Sequence, residues 1–434
     1  MSGSGNIVTE VRVVPLTYEG IFGSYSNNIF PEERPKTFRI KGEGEKAVSV
    51  RIKGGREYEV QIRSCNEAGC SRLIKIKTPY YREFKNRAKE LQKKGITISA
   101  VYMMFSTWYF IHSPESERFI DYPLMGPYDT EIDIVQWKHI DWANGFGISV
   151  FWMDLTWSAP HTMERNLRIM QGFLEKNMSI GIMIGPIDTM RTNKLGAFDL
   201  SLPENSDALL SVIRQTLPIM KHPNYYRIQG RPAIFIWAEI SFVNRERVYR
   251  EIRDLVESHT GVPPFIIADI LPRIYENWIL PTNSNFQGWK NWAIKRDGAD
   301  RYIDGYTGWI GFFGVHNSSA SIPLSEDEFR KNFLKFYKEH LAAWREYSES
   351  KGRCFIPTVS PGFIRTGDKG FIKYPIERDV KRFREMTYLA LQNIGSCGEI
   401  RIDTWNDFYE ATFIEPSVNE GFRYIETLLS ILTS

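Results

Sequence analysis

The chain has 434 residues, 42% hydrophobic and 25% charged, an ordinary globular composition with apolar residues enough for a large core. Its 55 Lys plus Arg are nearly balanced by 52 Asp plus Glu, leaving +3, which excludes the basic field of a nucleic-acid binder. No window approaches the ~18 apolar residues of a membrane-crossing helix, and the length predicts two or three domains.

The opening Met-Ser-Gly-Ser-Gly reads as an expression remnant standing where a secretory signal would be. Residues 1–79 are read as a small all-β, sandwich-like module. In Arg56 to Arg63, Tyr58, Val60 and Ile62 alternate with Glu57, Glu59 and Gln61, the pattern of a half-buried strand. The Asn66 to Gly69 turn leads to an answering strand, Ser71 to Thr78. This Tyr-x-Val-x-Ile strand and its Asn-x-x-Gly turn resemble the last two strands of a fibronectin type III domain. Cys65 and Cys70 lie close enough to pair across that hairpin, or to remain free thiols.

From residue 80 to 434 strand and helix alternate, which predicts a parallel sheet. The expected strands are 97–103, 147–153, 179–185, 233–237, 264–268, 304–307, 353–358 and 399–403. A helix is expected over 327–347, with Phe329, Phe333, Phe336 and Trp344 on one face, and Ser325 with Glu328 forms a capping box before it. Eight strands without a Gly-rich phosphate loop fit the α/β class as a (β/α)8 TIM barrel, not an open sheet. Cys354 and Cys397 each precede a strand and could meet at one end of that barrel. No His lies at ligand spacing from any Cys, so neither a metal nor a cofactor is expected.

Barrel chemistry sits at the C-terminal ends of the strands. After the eighth comes Thr404-Trp405-Asn406-Asp407-Phe408-Tyr409-Glu410, then Ala411 to Pro416. Asp407 and Glu410, three apart, fall on one side of a helical turn, and two carboxyls of unequal pKa are what glycoside hydrolysis requires. An Asp-x-x-Glu pair is commonly just a solvated helix face; its place after a barrel strand, beside Trp405, singles it out. Expected substrate contacts are Asn406, Trp405, Asp154 and Trp157 after strand two, Trp237 and Glu239 after strand four, Tyr306 and Trp309 after strand six, and Tyr102 in strand one. Glu239 and Asp269 could equally be rim carboxylates paired with Arg, the aromatics could equally be core, and Glu415 is expected to tie the loop down. His112, His161 and His316 are scattered without the partners of a Ser/His triad. Aromatic residues, 14% with 12 Trp and 21 Tyr, suit either a sugar groove or an aromatic core.

The segment Thr404 to Pro416 resembles the Asn-Glu-Trp-x-Glu-Gly-x-x-Ile-Glu signature of glycoside hydrolase family 99, the endo-α-mannosidases and endo-α-mannanases, and of related polysaccharide-biosynthesis barrels. Phe355 to Ile364, Tyr122 to Tyr128, and His222 to Arg227 with Arg231 to Phe235 are similar to further segments of that family, in family order. The resemblance implies an endo-acting retaining hydrolase of an α-linked, mannose-containing glycan. In it, Asp407 would act as base on the sugar 2-hydroxyl to give a 1,2-anhydro intermediate, and Glu410 as acid/base at the glycosidic oxygen.

The sequence departs from the family in three places. Asp407 stands for Glu, shorter by roughly 1.5 Å; Met183-Ile184-Gly185-Pro186-Ile187 replaces His-Ile-x-Pro-Tyr; and Trp237-Ala238-Glu239 replaces a Tyr-Asp pair. These bear on mannose specificity. The expected partner is an oligosaccharide or polysaccharide, in an extracellular or cell-surface setting, with the oligomeric state open. The alternatives are a polysaccharide-processing enzyme acting on another sugar and a carbohydrate-binding barrel without turnover.

Overall fold

The computed structural model describes residues 7–18, 22–30, 32–42, 44–156, 162–193, 197–270, 298–308, 325–364 and 375–433, with backbone only at 240. The first part is an antiparallel sheet of β1 (Val8–Pro15), β2 (Lys36–Lys41), β3 (Tyr58–Asn66), β4 (Gly69–Cys70) and β5 (Ile74–Lys77). β1 lies between β2 and β3, and both β4 and β5 pair with β3. The register sets Val11 and Val13 opposite Ile62 and Val60, which in turn face Ile74 and Ile76. One face is therefore apolar, and the other carries Glu10, Arg12, Glu59, Gln61, Lys75 and Lys77. Asn66 Oδ1 accepts the Ala68 N–H in the expected turn, and Cys65 is bonded to Cys70.

The second part is a closed parallel barrel: β6 (Thr97–Tyr102), β7 (Ile148–Asp154), β8 (Ser179–Ile184), β9 (Arg231–Ile236), β10 (Phe265–Asp269), β11 (Gly305–Thr307), β12 (Cys354–Ile356), β13 (Thr358–Val359) and β14 (Glu399–Ile402). β12 and β13 are two halves of one stave interrupted at Pro357, which has no N–H to give a ladder. The first half pairs with β11, the second with β14, and β14 closes on β6. All eight expected staves are present. Around them run α1 (Thr107–His112), α2 (Asp133–Gly145), α3 (Met163–Glu175), α4 (Pro203–Met220), α5 (Glu246–Thr260), α6 (Glu326–Ser350), α7 (Val380–Gln392) and α8 (Arg423–Leu432). The Ser325–Glu328 capping box opens α6, which buries Phe329, Phe333 and Trp344 and half-buries Phe336.

Strand alternation divides the core in two. Val101, Val150, Trp152, Met183, Ala233, Phe235, Phe265, Ile267, Cys354 and Ile356 fill the lumen. Their neighbours in sequence, such as Ala100, Phe151, Ile182, Ile234 and Ile266, pack against the helices. Gly181 is required where it stands, because a Cβ there would lie 2.4 Å from the Trp152 ring. On the lumen floor Glu399 accepts hydrogen bonds from Ser99 Oγ (2.6 Å), Trp152 Nε1 (2.9 Å) and Tyr226 OH (2.8 Å). Burial raises its pKa above the ordinary range. Above it the buried Arg401 donates to Asp403 at 2.7 and 3.2 Å and lies 4.2 Å from the Phe235 ring centre.

Cys354 and Cys397, at the N-terminal ends of staves seven and eight, form a disulfide that closes a 43-residue separation. A loop of that length stabilises by about 4 kcal/mol in the chain-entropy account. Cys354→Ser is expected to lower the unfolding free energy by that order, read from the shift of a urea-denaturation midpoint under non-reducing conditions.

Candidate active site

After β14 the chain folds back on itself at the mouth of the barrel. Thr404 N–H donates to Thr412 O (2.9 Å), Ile414 N–H to Trp405 O (2.9 Å), and Trp405 N–H to Val101 O (2.7 Å). Within this arch Asp407 N–H donates to Thr404 Oγ1 and Glu410 N–H to Asp407 Oδ1, both 2.9 Å. The two carboxyl groups therefore share one hydrogen-bonded turn, although residues 408–411 are a turn and not a helix. Asp407 is 6% exposed, and Glu410 is half-buried.

Asn406 anchors the arch. Its Oδ1 accepts the Met103 N–H (2.8 Å), and its Nδ2 donates to Met103 O (2.9 Å) and Tyr128 OH (3.0 Å). Tyr128 OH donates to Glu415 Oε2 (2.8 Å), and the Glu415 Oε1 to His139 Nε2 distance is 3.2 Å. Tyr102 OH lies 2.7 Å from His139 Nδ1. A carboxylate only accepts, so Nε2 carries a proton toward Glu415. This fully buried relay, Tyr102 to His139 to Glu415 to Tyr128 to Asn406, fixes the arch to α2, and Glu415 is the tether expected of it.

Four expected contacts, Tyr102, Tyr306, Trp405 and Asn406, are corrected by these positions. Tyr102 and Tyr306 have the strand parity that faces the helices: Tyr102 packs on Phe151 and Phe173, and Tyr306 on Tyr347 with ring centres 5.9 Å apart. Trp405 is wholly buried between His139 and Phe151, so its indole offers no face to a sugar. Asn406 is also wholly buried and committed to backbone and Tyr128, a positioning residue in place of a direct contact. Glu239 is a buried carboxylate paired with Arg245 and accepting from Tyr249 OH (3.0 Å). Asp269, also buried, accepts the Ala238 N–H at 3.2 Å. Trp157, Trp309, His161 and His316 lie outside the described residues.

Asp154 and Trp237 do reach the mouth. Asp154 follows Val150 and Trp152 with lumen parity and stands in register with Met183. Its Oδ1 accepts from Thr156 N–H (2.8 Å) and Thr156 Oγ1 (2.6 Å). Burial pushes its carboxyl up to about 7 against the pull of the two Thr156 bonds, and the Asp407 charge adds the smallest contribution. Trp237 is half-buried beside Gly185, where an added Cβ would lie 3.2 Å from the Trp237 ring and 2.8 Å from Thr156 Cγ2.

Tyr109 was not expected from sequence. It lies on α1, in the loop after the first stave, stacked on Phe105 with centres 3.9 Å apart. Burial raises its phenol pKa far above the usual value, and the charges of Asp407, Glu115 and Glu410 add to this, which puts it beside the carboxyl pair. The run Trp108-Tyr109-Phe110 just past a strand end was the available signal. Among the described residues no His, Cys, Asp and Glu gather as a metal site, and no helix is long and apolar enough to cross a membrane.

No family model matches the chain, and no curated protein sequence matches it. Solved structures do. A glycoside hydrolase-like protein is 18% identical with a TM-score of 0.56, covering 78% of this chain and 94% of its own. The GH99 endo-alpha-mannosidase of Bacteroides thetaiotaomicron, in complex with bis-tris-propane, is 15% identical with a TM-score of 0.52, covering 77% of this chain and 95% of its own. The shared property is the fold, a (β/α)8 barrel.

Proposed function

We propose that the chain is an endo-acting glycoside hydrolase that cleaves an α-linked, mannose-containing glycan with retention. The observation that carries this reading is the pairing of Asp407 and Glu410 on one hydrogen-bonded turn at the C-terminal mouth of the barrel, anchored through Asn406. In this reading Asp407 takes the proton of the sugar 2-hydroxyl as that oxygen closes on the anomeric carbon. Glu410 protonates the departing glycosidic oxygen, then removes a proton from the water that opens the 1,2-anhydro intermediate, while Asp407 returns its proton to O2. Two displacements give retention. Trp237 supplies an apolar face at the mouth.

The reading extends to context. Residues 1–79 would act as a spacer or docking module, and the two disulfides suit an extracellular or cell-surface protein. The test is reducing-sugar release from a panel of α-mannans and other microbial polysaccharides, with the product anomer followed by NMR. Release with retention from a mannose-containing glycan supports the proposal. Release only from glycans lacking mannose supports a polysaccharide-processing enzyme of other specificity, and no release from any glycan supports a binding barrel.

The shorter first carboxylate is the observation that favours the binding barrel. Yet Asp407 Oδ1 already caps the Glu410 N–H, so the turn is built to the length of Asp. Asp407→Glu is therefore expected to lower kcat by about a hundredfold, the order that a 1 Å misplacement causes. A rise in kcat in the same assay would mean that the short side chain is a defect.

A further inference from the structure

Carboxylates of this barrel are balanced in recognisable ways. Asp403 has Arg401, Glu239 has Arg245, Asp304 has Arg231 and Glu420 has Arg378. Glu399 has three donors, and Glu415 has Tyr128 and His139. Asp154 has neither arrangement. Both of its hydrogen bonds converge on Oδ1, which fixes the side chain in one orientation, and Oδ2 makes none among the described residues. The neighbouring strand brings Met183 in register, and Gly185 and Trp237 beyond it; β6 brings Val101 and Met103 to the lumen cluster. The one charged group acting on Asp154 among the described residues is Asp407. β7 and β14 are separated only by β6, so the side chains approach the same volume from staves roughly 10 Å apart.

A half-buried carboxyl that shares its volume with another carboxylate, with no cation among the described residues to balance it, retains its proton. Resting on the glycosidase reading, we propose that Asp154 works as a neutral acid: it holds a proton beside the ionised Asp407 and presents Oδ2 to the bound sugar as a hydrogen-bond donor. The two carboxyls then titrate as a coupled pair. Rising pH removes the Asp154 proton, so the site loses its donor and gains a second negative charge next to Asp407. The sign is fixed by the direction of the shift. The acid is protonated below its raised value of about 7, so activity that needs the neutral form is complete below that pH and falls above it. This also explains why the carboxyl is held through Oδ1 alone.

Two measurements test this. On a glycan that the wild type hydrolyses, kcat/KM is expected to fall by about fifteenfold between pH 7 and 8.5, as one proton is lost. Asp154→Asn keeps a donor but cannot ionise. It is expected to lie about fivefold below wild type at pH 6, the worth of a weakened hydrogen bond, to be flat to pH 8.5, and to exceed wild type there. An Asn variant with the wild-type alkaline limb would overturn the proposal, provided its circular dichroism and melting match wild type.

The second measurement does not depend on activity. The side-chain carboxyl carbon of Asp154 is followed by NMR from pH 4 to 9 in wild type and in Asp407→Asn. A midpoint near neutrality that moves down when the Asp407 charge is removed supports the proton-sharing pair. A midpoint below pH 5, or one indifferent to Asp407→Asn, overturns it. If wild type hydrolyses no glycan while this titration holds, the glycosidase reading fails and the proton-holding pair stands.

Discussion

Glu410→Gln is expected to lower kcat by about 10²- to 10⁴-fold, the usual contribution of a positioned proton donor, with sugar affinity retained. Glu410 is half-buried on the arch, and two backbone bonds hold it there: its N–H donates to Asp407 Oδ1, and its C=O accepts from Ile364 N–H. An isosteric amide leaves both bonds in place, so the loss would be chemical and not structural. The measurement is kcat on the glycan found by the reducing-sugar panel, beside a binding isotherm for the same glycan. A tenfold or smaller loss would remove Glu410 from the acid's place. A leaving group that needs no protonation, such as a nitrophenolate, should recover most of the loss in the first step if the assignment is right.

Asp403→Ala should be the most destabilising single change near the site, costing about 3–5 kcal/mol. The Arg401–Asp403 pair is buried in the lumen, with both side chains at 1% exposure or less. Asp403 gives Arg401 its two charge-assisted bonds, at 2.7 and 3.2 Å, whereas the Phe235 ring and Gly308 O (3.4 Å) carry no formal charge. The loss is expected in the denaturation midpoint. Because Asp403 directly precedes the arch, activity should fall with it. Arg401→Met with Asp403→Leu is the control: replacing both charges by apolar groups should recover much of the stability. A single mutant within 1 kcal/mol of wild type would show that solvent or another group takes the charge.

The staves were readable because their apolar runs are short, bounded by turn residues and separated by helical stretches. The direction of each side chain was not. In Ile148–Asp154 and Thr97–Tyr102 both faces are buried, one against the lumen and one against the helices, so hydrophobicity does not alternate and parity is invisible. Tyr102 and Tyr306 were therefore expected on the wrong side. Trp405 and Asn406 follow a strand as binding residues do, but their partners are Val101, Met103 and Tyr128, about three hundred residues earlier, which local spacing does not encode. Glu239 was more legible, since Arg245 stands six residues on, one reason the paired alternative suited it. The Asp407–Glu410 spacing is local and its turn is therefore legible in sequence, but the helical form expected of it is not what forms, because the Thr404–Thr412 closure bends the chain back.

Asn406 binds Met103 across a sequence separation of 303 residues, and thereby joins the first stave of the barrel to the last. The anchor of the carboxyl pair is thus also a latch of barrel closure. Contacts of such separation carry the largest loop-closure cost and form late. While the chain emerges from the ribosome, the first seven staves have no eighth to complete the ring, and Asp407 and Glu410 have nothing to hold their turn. If the proposed hydrolase reading holds, a nascent or truncated chain would consequently be inert, with competence arriving in one cooperative event when the two ends of the barrel meet.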